Sequence, residues 1–125
     1  SHDCGRIINP TTVESQIIGG VTQGIGFGLS EERIVDVKRG MVLNANLEEY
    51  KLPTVADIPA ITFVPIDMID TEANPTGAKG VGEPPLIPTA PAIANAIYHA
   101  TGVRMRTPPF TPARVRAALK AADVA

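Results

Sequence analysis

The chain has 125 residues, 11 of them Lys or Arg and 13 Asp or Glu, for a formal net charge of -2. That balance gives no electrostatic drive toward nucleic acid or an anionic membrane. The one cysteine, Cys4, excludes an internal disulfide, an iron–sulfur cluster and a Cys-rich zinc site within the chain.

Residues Ser1 to Pro10 read as a short strand or turn that stops at Asn9-Pro10. Thr11 and Glu14 then fit a capping box. Ile17, Ile18, Val21, Ile25 and Leu29 recur at helical spacing, which predicts a helix over residues 12–31. Gly20, Gly24 and Gly28 fall four apart in it, with Gly19 and Gly26 beside them. Each costs roughly 1 kcal/mol of helix propensity relative to alanine, so the stripe makes sense where another backbone or a cofactor comes close. The other reading makes the glycine-rich end a loop. Arg33–Val37 and Met41–Leu43 read as short strands joined by a turn at Lys38-Arg39-Gly40. Asn44–Pro53 reads as loop with a short structured piece near Glu48–Leu52. Ile61–Ile66, ITFVPI, reads as a strand that Pro65 confines to an edge. Asp70–Lys79 is polar and turn-like. Thr89 can cap a helix over 90–101 with Gly102 as its C-terminal stop, and Thr111-Pro112 starts a last helix to about residue 122.

These parts make an α+β chain with modest core material: three Phe, two Tyr and no Trp, against 11 Gly and 12 Pro. An apolar fraction of 44% argues against disorder. A packed partner surface would supply the missing core. No stretch is long and apolar enough to cross a bilayer. Six basic and twelve acidic residues lie in 1–83, a net of -6, whereas 84–125 carries five basic and one acidic, a net of +4. The basic end is either a solvated face or a seam against an acidic neighbour or a cofactor phosphate.

Familiar sites fail on detail. GGVTQGIGFG lacks the G-x-G-x-x-G pattern after a strand, because Leu29 stands where the third glycine belongs. His2 and His99 form no metal-ligating set and no hydrolase triad, and no protein ligand to a metal is expected. The segment GAKGVGEPP, Gly77–Pro85, is different. Pro84 biases Glu83 away from helical backbone. Gly80 and Gly82 permit either positive φ or a backbone approach too close for a Cβ. Together they hold one carboxylate at the tip of a stiff loop, which suits a base. A surface glutamate in a tight turn is the plainer reading.

The series DCGRIINP (3–10), ESQIIGGVTQGIG (14–26), NLEEYKLPTVADIP (46–59), GAKGVGEPPLIPTAPAIANAI (77–97) and TPARVRAAL (111–119) resembles the C-terminal part of the molybdopterin-binding subunit of the xanthine dehydrogenase and aldehyde oxidase family, the molybdenum hydroxylases. The resemblance implies that Glu83 is the catalytic base, taking a proton from a hydroxide on molybdenum whose oxygen attacks an electron-poor carbon of an aldehyde or aromatic N-heterocycle. It implies that the Gln16 amide contacts the molybdenum cofactor (molybdopterin, alone or as its cytosine dinucleotide), as does backbone at Gly80, Val81 and Gly82, with Gln23 a weaker candidate. Lys79 is expected to anchor the loop through a carboxylate or carbonyl. The family's subunit is much longer, so residues 1–125 are expected to be one segment rather than an independent domain. Its partners would be the remainder of that subunit, an iron–sulfur subunit with 2Fe–2S clusters and a flavin subunit with FAD. A cytoplasmic location is expected, with the periplasm as the other option. The rival to a catalytic role is a structural or assembly module that keeps the motif without turnover.

Overall fold

A computed structural model describes residues 1–66 and 68–124. Three helices and one small hairpin make up its regular structure, as the α+β expectation requires. They are α1 (Pro10–Leu29), β1 (Val35–Asp36), β2 (Met41–Val42), α2 (Thr89–Thr101) and α3 (Pro112–Ala121).

The first helix starts earlier than the sequence suggests. Asn9, in extended backbone, is the cap, and its side chain accepts from the Thr12 N–H at 3.2 Å. Asn9-Pro10 therefore opens the helix instead of stopping the chain. Proline lacks an N–H, but the first helical position has no use for one. The Thr11–Glu14 capping box does not form. Val13, Ile17 and Ile25 are buried along α1, while Ile18 and Leu29 stay exposed. The glycine-rich end is helix throughout.

Glycines let α1 lie against α2 and the turn before it. A Cβ on Gly20 would stand 3.0 Å from the Pro85 Cβ, one on Gly24 would overlap the Thr89 side chain, and one on Gly28 would stand 2.8 Å from the Ile93 Cδ1. Another backbone does come close, as the stripe predicts. The α2 helix starts at Thr89 without a side-chain cap. The Thr89 hydroxyl instead donates to the Pro85 carbonyl at 3.1 Å. Gly102 ends it in the left-handed region at φ +74. Thr111 caps α3 as expected, accepting from the Arg114 N–H at 3.3 Å.

The hairpin is antiparallel, pairing Val35 with Val42 and Asp36 with Met41. Asp36 closes its turn by accepting from the Lys38 and Arg39 amides, and Gly40 supplies a φ of +66. Ile61–Ile66 does not form the expected strand. Its partner is a single bridge, His2 with Pro65, flanked by hydrogen bonds from His2 N to Val64 O at 3.4 Å and from Ile66 N to His2 O at 3.1 Å. Proline has no N–H to continue a ladder.

The core is small. Cys4, Val13 and Ile17 are buried together, with Ile7, Phe63 and Val81 packed against them. Phe110 is buried separately, where its N–H donates to the Gly28 carbonyl at 2.6 Å. Neither α2 nor α3 has a fully buried residue. The chain exposes 8712 Å², where a self-contained fold of this size would expose about 6,400 Å².

Candidate functional site

The Glu83 loop is anchored at three places. Upstream, Ala78 bridges Gly5, the Lys79 N–H donates to the Cys4 carbonyl at 2.7 Å, and the Arg6 N–H donates to the Gly77 carbonyl at 2.8 Å. In the middle, Val81 packs on the Cys4, Val13 and Ile17 cluster. Downstream, the Glu83 carbonyl accepts from the Leu86 N–H at 2.9 Å, and Pro85 is buried against Gly20 of α1. The chain from Lys79 to Leu86 is thus a bridge between the N-terminal segment and the α1–α2 seam.

Between the anchors the loop is bare. Gly80 and Gly82 are exposed, and a Cβ on either would meet nothing within 4 Å. Neither has positive φ. Of the two reasons sequence allows for these glycines, unusual backbone is therefore ruled out, and room for an approaching group is left. The Glu83 side chain is exposed and has no hydrogen bond or ion pair among the described residues. The dry pocket that would strengthen it as a base is not made by these residues alone.

Gln16 lies one turn before Gly20 on α1, exposed and without a hydrogen-bond partner among the described residues. Gln23 is exposed two turns further on. Gly19, between them, would carry a Cβ into open space. Helical spacing sets Gln16, Gly19 and Gln23 along one side. That side carries amides and a cleared backbone, beside the face on which Pro85 packs. The fold thus brings Gln16 and the Glu83 loop to the same end of the α1–α2 seam.

Lys79 does anchor through carboxylates. Its Nζ lies 2.8 Å from the Asp3 Oδ2 and 3.5 Å from the Asp70 Oδ2. The other Asp3 oxygen accepts from the Gly5 N–H at 2.9 Å. The Lys79 hydrogen bond and then the Gly5 N–H hold the Asp3 carboxyl below the usual range, and the Asp3 hydrogen bond pushes the Lys79 ammonium up. Sequence reasoning did not find Asp3 or Asp70. Asp3 sits 76 residues from Lys79, and no local pattern links them.

A crevice of about 310 Å³ runs beside the loop, lined by His2, Ile17, Val21, Phe63, Pro84 and Pro85 among others. No group of three or more His, Cys, Asp or Glu among the described residues could hold a metal ion. In the basic end, Arg114 pairs with Glu32 and donates to the Pro109 carbonyl at 3.1 Å, and Arg104 stacks 3.8 Å from the centre of the Tyr98 ring. Part of that charge is internal bracing rather than a free face.

Comparison with known proteins converges on one group. A family described as molybdopterin cofactor-binding domain matches residues 1–59. The chain is 46% identical over 114 residues to the xanthine dehydrogenase molybdenum-binding subunit of Escherichia coli O157:H7, covering 91% of this chain and 15% of that one. It is 46% identical over 107 residues to the aldehyde oxidoreductase molybdenum-binding subunit of Escherichia coli (strain K12), covering 86% of this chain and 15% of that one. The fold matches the crystal structure of quinoline 2-oxidoreductase from Pseudomonas putida 86 with a TM-score of 0.85 and 36% identity, over 94% of this chain and 15% of that chain. The chain thus spans about 15% of the length of these relatives. By sequence and by fold it belongs to the xanthine dehydrogenase and aldehyde oxidase family of molybdenum hydroxylases, corresponding to a C-terminal part of the large, molybdenum-binding subunit.

Proposed function

We propose that this chain is the segment of a molybdenum hydroxylase that supplies the catalytic base, Glu83, and one wall of the cofactor site. The oxidised substrate would be an aldehyde or an aromatic N-heterocycle, with water as the oxygen source. One observation carries the reading. The loop is pinned on its inner side by Val81, while Gly80 and Gly82 leave its backbone clear with ordinary φ angles. Glycine at such places serves close approach from outside the chain.

The residues present fit a pterin-type cofactor. The Gln16 amide can donate and accept at once, it has no partner within the described residues, and Gly19 clears the helix next to it. Gln16 would hold the cofactor edge through that amide, and Gly80, Val81 and Gly82 would face it with main-chain atoms. The molybdenum centre, when bound, supplies the oxygen transfer and accepts the substrate's electrons. Glu83 accepts a proton at a carboxylate oxygen as the reaction proceeds. It then releases that proton to solvent. Pro84 and the turn closed by Leu86 restrain the Glu83 backbone, so less orientation has to be found at the moment of transfer.

The excess exposed surface of about 2,300 Å² relative to a self-contained chain is the size of a large permanent interface. The remainder of the large subunit would cover it and enclose the space around Glu83. Partner subunits carrying 2Fe–2S clusters and FAD would take the electrons away. The enzyme would be cytoplasmic.

The experiment is Glu83→Gln in the complete complex. Turnover should fall by about 10²–10⁴-fold, the usual worth of a positioned general base, with molybdenum content unchanged. A fall of less than tenfold at full molybdenum content would leave the loop a structural element and end the base assignment.

A further inference from the structure

We propose that Asp3 and Asp70 grip Lys79 as a two-carboxylate clamp, and that this clamp makes Lys79 a positioning residue for Glu83. The inference rests on the reading of Glu83 as the base. It adds the residues that aim it.

The argument starts from what holds the loop. Past the Lys79 N–H, the next main-chain hydrogen bond donated along the chain is Leu86 N–H to the Glu83 carbonyl. Among the described residues, the amides of residues 80–83 have no hydrogen-bond acceptor. Two glycines in that stretch remove the steric limits that would otherwise hold the backbone. The direction in which the loop leaves the body of the fold therefore depends on Lys79 and on the packing of Val81.

Lys79 is held twice by one short stretch. Its N–H binds the Cys4 carbonyl at 2.7 Å and its Nζ binds the Asp3 Oδ2 at 2.8 Å. Asp3 is itself fixed by the Gly5 N–H at 2.9 Å, so it is a rigid acceptor. Asp70 closes the other side of the ammonium at 3.5 Å, and its own N–H is tied at 3.3 Å to the Gly77 carbonyl, which also accepts from the Arg6 N–H. Three chain segments thus meet at one ammonium, four residues before Glu83. Without that charge, two carboxylates would face each other beside the loop and repel.

The three side chains are about one-third exposed, at 33%, 31% and 37%. Solvent screening makes such pairs weak contributors to global stability. The clamp's effect should accordingly appear in the placement of Glu83 and hardly at all in the melting temperature. A displacement of about 1 Å can cost about 10²-fold in rate.

The test uses the complete complex with Lys79→Met, Lys79→Arg, Asp3→Asn and Glu83→Gln. Lys79→Met should lower kcat by about 10- to 100-fold. KM should stay within about twofold, with molybdenum content and melting temperature nearly unchanged. Amide hydrogen exchange at Lys79, whose N–H binds the Cys4 carbonyl, should speed up in the same variant. Lys79→Arg should keep most of the rate, and Asp3→Asn should fall between the two. If Lys79→Met fails to assemble, the Asp3→Asn and Lys79→Arg variants decide by the same readings. Unchanged kcat and unchanged exchange, with Glu83→Gln inactive, would overturn the clamp and leave the base assignment standing. Faster exchange with Glu83→Gln still fully active would confirm that the clamp holds the loop, but would overturn its role in catalysis together with the base assignment.

Discussion

Two regions of this chain are held together by opposite means. Where α1 meets residues 85–93, side chains are missing: Gly20, Gly24 and Gly28 let Pro85, Thr89 and Ile93 rest almost on the helix backbone. In residues 31–57, polar side chains stand in for packing. Asn44 donates to the Glu32 carbonyl at 2.6 Å and accepts from the Ile34 N–H at 2.9 Å. Asn46 accepts from the Glu48 and Glu49 amides, and Asp57 from Thr54. The apolar side chains of that region point outward, Val37 and Val55 being 90% and 94% exposed. The seam is made within this chain, by close approach of residues 85–93 to α1. The polar region fixes its own backbone and leaves its apolar side chains exposed. On the proposed reading, one segment would thereby both aim a carboxylate and depend on its surroundings.

The largest expected effect breaks the seam. Gly24→Val would drive a branched side chain into Thr89, and overpacking of that kind costs about 3 kcal/mol. Gly19→Ala is the paired control. It meets nothing in this chain, and it should gain up to about 1 kcal/mol from helix propensity. Denaturant midpoints of the subunit without its cofactor check both. Equal effects at the two positions would show that the glycines do not divide into a packed set and an open one.

The same contrast governs what was legible in the sequence. The glycine stripe announced a close approach because every fourth position lost its side chain at a known cost in helix propensity. What approached could not be read, because Pro85, Thr89 and Ile93 lie more than 60 residues on. The start of α1 was misread because Asn9-Pro10 carries two meanings: a stop for a chain arriving in a helix, and a cap with its first residue for a chain entering one. The Ile61–Ile66 strand was expected from β-branched composition. It reduced to one bridge because Pro65 breaks the ladder and only His2 is beside it. At the site, Glu83 and Gln16 stood out through a motif, whereas the grip on Lys79 came from chain crossing and left no local trace.

A middle-sized effect tests the polar region. Asn44 is only 6% exposed and serves two backbone groups in the stretch leading into β1. Asn44→Ala leaves both without their partner and should cost about 1–2 kcal/mol. Asn44→Asp should cost less at the Ile34 N–H, which it can still satisfy, and more at the Glu32 carbonyl, which then faces an acceptor. Hydrogen exchange at Ile34 separates the two losses. If Asn44→Ala leaves the hairpin amides as protected as before, packing rather than polar bonding holds this region and the contrast with the seam collapses.

The smallest effect is a titration. Asp57 accepts from the Thr54 N–H and hydroxyl, each at 2.8 Å, and from the Lys51 ammonium at 3.2 Å. The Thr54 amide, then its hydroxyl, then Lys51 lower the carboxyl from 3.8 to about 2. The folded value lies below the unfolded one, so the turn's contribution is complete above about pH 4 and fades as pH falls through the folded value. The site is exposed to solvent, so the change is local to residues 51–57. Carbon NMR of the Asp57 carboxyl should give a midpoint near 2 in the folded protein. Because the Lys51 ion pair contributes least, added salt should move that midpoint little, whereas Thr54→Ala, which removes the hydroxyl and keeps the amide, should raise it part of the way toward 3.8. A midpoint that instead follows salt and ignores Thr54 would make the turn an ordinary surface ion pair. The polar region would then hold its shape through neighbours outside the chain, and not through its own hydrogen bonds.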